Sequence, residues 1–284
     1  MSIRFFVSRL VALISLCLAA GAYASSSIDA PHVHVELLIP GDTLYSKAAH
    51  NDAGIYFKLE PGWHIYWKNP GDAGLPPHVI WQLPEGVRAL PLQFPAPQRL
   101  PLGSLVDYGY EHELLLPLHL QIAQNAESGN THLRAKIDWL VCQNTCIPGK
   151  AELDVERNID IHTQPPNRPS DALFEHFQSR IPHTLQSRSR AYFEETKNSF
   201  IVTLATGRKE TQAIFFPEDG YIIDNVAPQR ITPRPTGLIL TLKKDEALSQ
   251  KVLRLNGVLE LSGGRAYQVT LEARRHVSAQ EHAR

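Results

Sequence analysis

Sulfur is scarce in this 284-residue chain, which has three cysteines and one methionine. The methionine is Met1, so thioether-rich handling of Cu(I) is excluded. A formal net charge of −1 provides no basic surface for nucleic acid or anionic lipid. No C-x-x-C is present, which removes the thioredoxin motif, and a lone cysteine pair falls short of the four ligands of a structural zinc site. Beyond the first two dozen residues no stretch is apolar enough to cross a bilayer, and no short-period repeat occurs. A hydrophobic content of 43% is ample for packed cores, so disorder is not the expectation.

The chain opens as a secretory leader. Arg4 and Arg9 form a positive start, residues 10–20 form a short apolar run, and Ala22-Tyr23-Ala24 supplies the small-x-small cleavage pattern. Leu16 precedes Cys17 where a lipoprotein signal needs a small residue, so Cys17 is expected to leave with the leader. The expected product is exported, cleaved after about Ala24, not membrane-embedded, and left with Cys142 and Cys146 alone. It enters a compartment where disulfides persist.

Past the leader, the chain reads as short strands broken by turn signals, an all-β sandwich architecture. Val33, Val35, Leu37 and Ile39 alternate with their neighbours, as do Ile55, Phe57 and Leu59. Between Pro70 and Gly103 prolines recur, which predicts edge strand and extended loop. Residues 163–169, T-Q-P-P-N-R-P, read as a linker. Ser170-Asp171 is a cap for a short helix carrying Leu173, Phe174, Phe177 and Ile181, ending near Pro182. Strands return around Phe200, over 213–216, at Leu238, over 252–261 and over 267–271, and the tail 276–284 is polar.

The segment W-L-V-C-Q-N-T-C-I-P-G at 139–149 is the most legible. Leu133, Ala135, Ile137, Trp139 and Val141 share one parity of a half-buried strand, and Cys142 falls on the other, polar parity, which predicts an outward side chain. Bridging Cys142 to Cys146 requires a turn over Gln143-Asn144-Thr145, because α-carbons must come within about 7 Å. So small a loop adds only about 2 kcal/mol of chain-entropy stabilisation. Two readings stand on spacing alone: a clip on one hairpin, or a labile redox pair.

The segment D-W-L-V-C-Q-N-T-C-I-P-G resembles the active-site segment of the amino-terminal periplasmic domain of the DsbD thiol:disulfide interchange family, ScsB-type branch. Three more stretches agree in order: P-G-W-H-I-Y-W-K-N-P-G-D-A-G-L-P at 61–76, F-P-A-P-Q-R-L-P-L-G at 94–103 and Y-G-Y-E-H-E-L-L-L-P at 108–117. The likeness covers about 32–160. It is looser beyond 170, at F-F-P-E-D-G-Y-I-I-D-N-V-A-P-Q (215–229) and L-N-G-V-L (255–259). It implies an immunoglobulin-like β-sandwich redox domain over 25–162, the linker 163–169, and a second β-rich domain with one short helix over 170–275. It also implies Cys146 as attacking thiol and Cys142 as resolving thiol. The clients would be periplasmic thioredoxin-fold or other disulfide-bearing proteins. The membrane segment and thioredoxin-like domain usual in that family do not follow in this sequence, so the expected electron donor is a separate membrane protein. No cofactor is implied. The alternatives are a copper-binding protein, since the branch is associated with copper tolerance, and a non-catalytic binding module with a structural disulfide.

Trp63, His64, Tyr66, Trp67, Tyr108 and Tyr110 read first as core and corner residues, and second as a cap over the cysteines. His64 or His112, if adjacent, would lower a cysteine pKa. Asp72, Asp107 and Glu111 read as loop residues rather than proton shuttles. His32 and His34, two apart, read as a solvent-facing strand pair or as metal ligands.

Overall fold

Period-two alternation builds the first sandwich. Val33, Val35 and Leu37 are buried while His34, Glu36 and Leu38 are half-buried, as a strand with one face in the core requires. The structure, a computed structural model, describes residues 25–167, 171–185 and 190–274; the leader expected over 1–24 and the tail over 276–284 lie outside them. One sheet has five strands in the order Ser27–Ala30, Val33–Leu38, Asn51–Leu59, Glu113–Ile122 and Val87–Ala89. The other runs Thr43–Tyr45, Cys146–Asp160, Gly129–Cys142, His64–Gly71, Leu105–Glu111 and Gln98–Leu102, with His78–Gln82 as a seventh strand on Gly129–Cys142. Val35, Ile55, Phe57 and Leu116 from the first sheet and Ile65, Leu133, Ile137 and Leu153 from the second share one core. This is the all-β immunoglobulin-like architecture expected.

The longest element is the cysteine hairpin. Gly129–Cys142 and Cys146–Asp160 pair antiparallel without a register shift, from Gly129 opposite Ile159 to Cys142 opposite Cys146. Trp139 lies opposite Gly149, where an added Cβ would sit 2.2 Å from the indole, so only glycine lets that ring lie across the neighbouring strand. Two strands share the other edge of Gly129–Cys142: His78–Gln82 pairs with Arg134 to Asp138, and His64–Gly71 pairs with Val141 and Cys142. Pro70 sits near the end of His64–Gly71, and Pro76 and Pro77 fall between the two strands, where the chain must leave one pairing and enter the next.

The helix Ala172–Gln178 starts where expected, capped by the Asp171 carboxylate, which accepts from the Leu173 and Phe174 amides, but it ends before Ile181. Its Phe174 and Phe177 are buried in the core of the first sandwich. An eight-stranded sheet follows, drawn from residues 183–273, with Phe193, Phe200, Val202, Leu204, Leu240 and Leu271 among its own buried cluster. Its strands at His183–Thr184, Arg190–Glu195 and Arg230–Arg234 carry too little apolar alternation to be anticipated.

The two β units are joined by packing as well as by chain. Phe216, from the strand Ala213–Pro217, stands edge-on to Trp67 and Tyr108 of the first sandwich, with ring centroids 6.3 and 5.2 Å away. Asn69 donates to the Pro217 carbonyl at 2.7 Å, and Lys68 pairs with Glu218. Phe216→Ala is expected to cost about 3–5 kcal/mol, as for other buried aromatic truncations. All four tryptophans precede residue 140, so tryptophan fluorescence during denaturant unfolding reports on the first unit alone. A lowered midpoint by that signal is the expected result; an unchanged one would show that the seam does not couple the two units.

Candidate functional site

Cys142 and Cys146 are bridged, with α-carbons 4.1 Å apart. The turn over Gln143, Asn144 and Thr145 closes the hairpin, with the Gln143 amide donating to the Thr145 carbonyl at 3.2 Å. The two sulfurs have different surroundings. Cys146 is exposed, whereas Cys142 is 0% exposed. The outward Cys142 expected from parity is therefore not observed. A strand pairs on each side of Cys142, Cys146 on one and His64 on the other, and directly opposite residues share a face. Parity along one strand says nothing about a neighbour that closes over it.

The strand His64–Gly71 delivers the side chains beside the bridge. His64 and Tyr66 point to the same face, with ring centroids 5.2 Å apart. The Tyr66 hydroxyl lies 3.7 Å from the Cys146 sulfur. Gly74, at φ +99°, lies flat against the Tyr66 ring, where a Cβ would come within 2.2 Å of it. Tyr66 is thus held in place from behind by backbone.

Asp107 completes the arrangement. It belongs to the strand Leu105–Glu111 and is completely buried, so the expectation of a loop residue is corrected. Its Oδ1 accepts from the Ala73 amide at 3.1 Å, while Oδ2 has no hydrogen-bond partner and lies 3.8 Å from the equally unpartnered Nε2 of His64. Burial raises the Asp107 carboxyl above the usual carboxylate range, an effect the Ala73 amide opposes. Burial also lowers the His64 imidazole, against the pull of Glu111 across the strand pair. Burial thus favours the protonated carboxyl of Asp107 and the neutral imidazole of His64. A neutral imidazole is no cation, so His64, although adjacent to Cys142, does not depress a thiol pKa as a histidinium would. Burial, then the proximity of Asp107, holds the Tyr66 hydroxyl well above the ordinary phenol range, so it stays protonated and able to donate.

Support for these residues reaches in from the other β unit. Asp72 accepts from the Val106 amide at 2.7 Å, one residue before Asp107, and from the Asn225 side chain at 2.8 Å. Asn225 in turn accepts from the Tyr108 hydroxyl at 2.7 Å, and its carbonyl accepts from Arg99. A residue more than a hundred positions downstream thus braces both flanks of Asp107. Sequence reasoning missed Asn225 because nothing local marks it. Asp107 did carry a signal, as a lone carboxylate in the apolar, aromatic run V-D-Y-G-Y.

The remaining candidates fall elsewhere. Trp67, Tyr108 and Tyr110 are buried, Tyr110 donating to the Pro95 carbonyl at 2.7 Å. Trp63 stacks on His32, centroids 3.9 Å apart. His112 is exposed, at φ 68°, in the turn between two strands. His32 and His34 do not share a strand face: His32 sits in a turn at φ 64° against Glu60, and His34 bonds Asp29. Among the described residues no helix is long and apolar enough to cross a membrane.

Fold and site together define an immunoglobulin-like sandwich with a disulfide at an exposed hairpin end, one sulfur open and one enclosed. Residues 35–157 match the family described as thiol:disulfide interchange protein DsbD, N-terminal. The crystal structure of the N-terminal periplasmic domain of ScsB from Proteus mirabilis superposes with a TM-score of 0.60 at 20% identity, covering 88% of this chain and 98% of that one. At that identity the likeness is one of fold, and its span takes in the second β unit. The E. coli chaperone DraB aligns at 5% identity with a TM-score of 0.24, over 84% of this chain and 98% of that one, and carries no weight. No curated protein sequence matches.

Asp107 yields a pH prediction. A carboxyl with a raised folded pKa binds its proton more tightly when folded, so its penalty is absent below about pH 4 and grows as pH rises through the folded value. Asp107→Asn keeps an acceptor for the Ala73 amide and cannot ionise. Relative to wild type, its denaturant midpoint is expected to be higher at pH 7 than at pH 4. A relative loss at pH 7 instead would mean that the ionised form is favoured by the fold.

Proposed function

We propose that the chain carries out thiol–disulfide exchange in the periplasm, passing reducing equivalents from Cys142 and Cys146 to client protein disulfides. The observation that supports this reading is the asymmetry of the pair, with Cys146 exposed beside a protonated Tyr66 and Cys142 fully enclosed. In the reduced protein, the Cys146 thiolate attacks one sulfur of a client disulfide. A mixed disulfide forms, and the other client sulfur leaves as a thiolate that takes up a proton. Cys142, inaccessible to the client but held next to Cys146, then attacks the Cys146 sulfur and expels the second client thiolate. The client gains two electrons and two protons, and the chain regains its bridge.

Re-reduction runs the same steps backwards. A donor thiolate attacks exposed Cys146 and expels the Cys142 thiolate; the donor's second thiol then attacks the donor sulfur of that mixed disulfide and expels Cys146, with electrons supplied in trans by a membrane protein. When Cys146 is the leaving group, the Tyr66 hydroxyl can donate a hydrogen bond to the developing thiolate, a charge-assisted contact stronger than a neutral one. Tyr66→Phe keeps the ring and removes the donor. Exchange with a dithiol donor is expected to slow by about tenfold, the equivalent of one charge-assisted hydrogen bond.

The roles of the cysteines are tested by trapping. Cys142→Ser leaves an exposed thiol with no intramolecular escape and is expected to accumulate reductant-sensitive adducts in a periplasmic extract run on a non-reducing gel. Cys146→Ser leaves only the enclosed sulfur and is expected to trap far less. Stronger trapping by Cys146→Ser would reverse the roles. Absence of adducts from both folded variants would leave a hairpin clip on a binding module.

A further inference from the structure

The sheet of the first sandwich that does not carry the cysteines holds a second cluster of reactive side chains. His50, Asp52 and His119 each place one ligand-capable atom within 4.8 Å of the others. We propose that these three residues bind a divalent late-transition-metal ion of the Zn(II) type, at a site separate from the disulfide and independent of the redox reading.

Strand geometry brings the three together. Asp52 and His119 are directly opposite each other in the antiparallel pair of Asn51–Leu59 with Glu113–Ile122, so both project from the outer face. Residues two apart share a face, which puts His50 on that side as well. Between His50 and Asp52, the buried Asn51 turns inward and is fastened three times. Its side-chain oxygen accepts from the Tyr45 amide at 2.8 Å, and its amide group donates to the carbonyls of Tyr45 at 3.1 Å and of Leu120 at 3.3 Å. That last bond ties the His50–Asp52 backbone to the residue beside His119. The cluster is thus braced by groups that are not ligands, as metal sites are.

The spacing suits an ion. Asp52 Oδ1 lies 3.1 Å from His119 Nδ1 and 3.7 Å from His50 Nε2, and the two imidazoles stand side by side with centroids 4.4 Å apart. Ligand bonds of about 2.0–2.2 Å place neighbouring donors roughly 3.3–3.5 Å apart in a tetrahedral shell, so small rotations of half-exposed rings close the set. Two imidazoles and one carboxylate suit Zn(II), Cu(II) or Ni(II), and are a poor set for calcium, magnesium or Cu(I). Three protein donors leave a position for water or an outside group. Two other histidine–carboxylate contacts differ. His132 meets Asp154, but Arg134 already occupies that carboxylate at 2.8 Å, and His32 pairs with Glu60 alone.

The test uses the full chain with its disulfide oxidised, so that thiols do not compete, stripped with chelator and titrated with Zn(II) by calorimetry. Saturation at one equivalent is expected, together with a zinc-dependent rise in melting temperature. His50→Gln, at an exposed position outside the core, and Asp52→Asn are each expected to weaken binding by about tenfold or more, while His132→Gln leaves it unchanged. The proposal is overturned if wild-type protein shows neither saturable binding nor a melting shift with zinc in large excess. Binding that survives unaltered in His50→Gln and Asp52→Asn overturns it equally.

Discussion

The pairing of Cys142 between two strands is the constraint on which the site depends. Had the hairpin stood at a sheet edge, both sulfurs would face solvent and either could react. With His64–Gly71 added to the open edge, Cys142 has backbone on both sides and its side chain is enclosed, while Cys146 remains at the hairpin's free end. The same added strand brings Tyr66 to the Cys146 sulfur and His64 to the face of Cys142. One strand pairing thus makes two chemically identical residues unequal. The disulfide itself closes a loop too short to contribute more than about 2 kcal/mol, so its placement is more informative than its stapling effect.

Asp107 shows how far this arrangement reaches. A fully buried carboxyl with one unpartnered oxygen is costly, and the surrounding structure must fix it in place. Bracing comes from the Ala73 amide, from Asp72 through the Val106 amide, and across the seam from Asn225. The second β unit is therefore more than an appendage to the first. Through Phe216 and Asn225 it presses on Trp67, Tyr108 and Asp72, all on or beside the strands that flank the bridge. The likeness in fold to the ScsB domain extends over both units.

Much of the strand framework was legible because alternation is a local consequence of the pleat. Val33 to Leu37, Leu133 to Val141 and Phe200 to Leu204 each announce a buried face within a few residues, and Asp171 announces its helix by the cap it forms. The importance of the C-x-x-x-C segment was equally legible, because no other cysteine lies beyond residue 17 and because four separated motifs resemble one family. The strands at 230–234 and 183–184 were not, since edge pairing needs little apolar patterning and draws its stability from a neighbour the local sequence does not name.

By itself the sequence determined that the chain is all-β, that Cys142 and Cys146 lie at a strand-to-strand connection, and which aromatic motifs accompany them. Each of these comes from composition, from period-two spacing, or from short motifs read along one strand. Only the tertiary structure decided which sulfur is open, that Asp107 is a buried strand residue rather than a loop residue, that Asn225 supports it, and that His50 and Asp52 meet His119. Those facts depend on which strands lie side by side. Cys142 and His64 are 78 positions apart, and Asp72 and Asn225 are 153 apart. Contacts at such separations arise from sheet pairing and the closing of one unit on another, and no local periodicity encodes them.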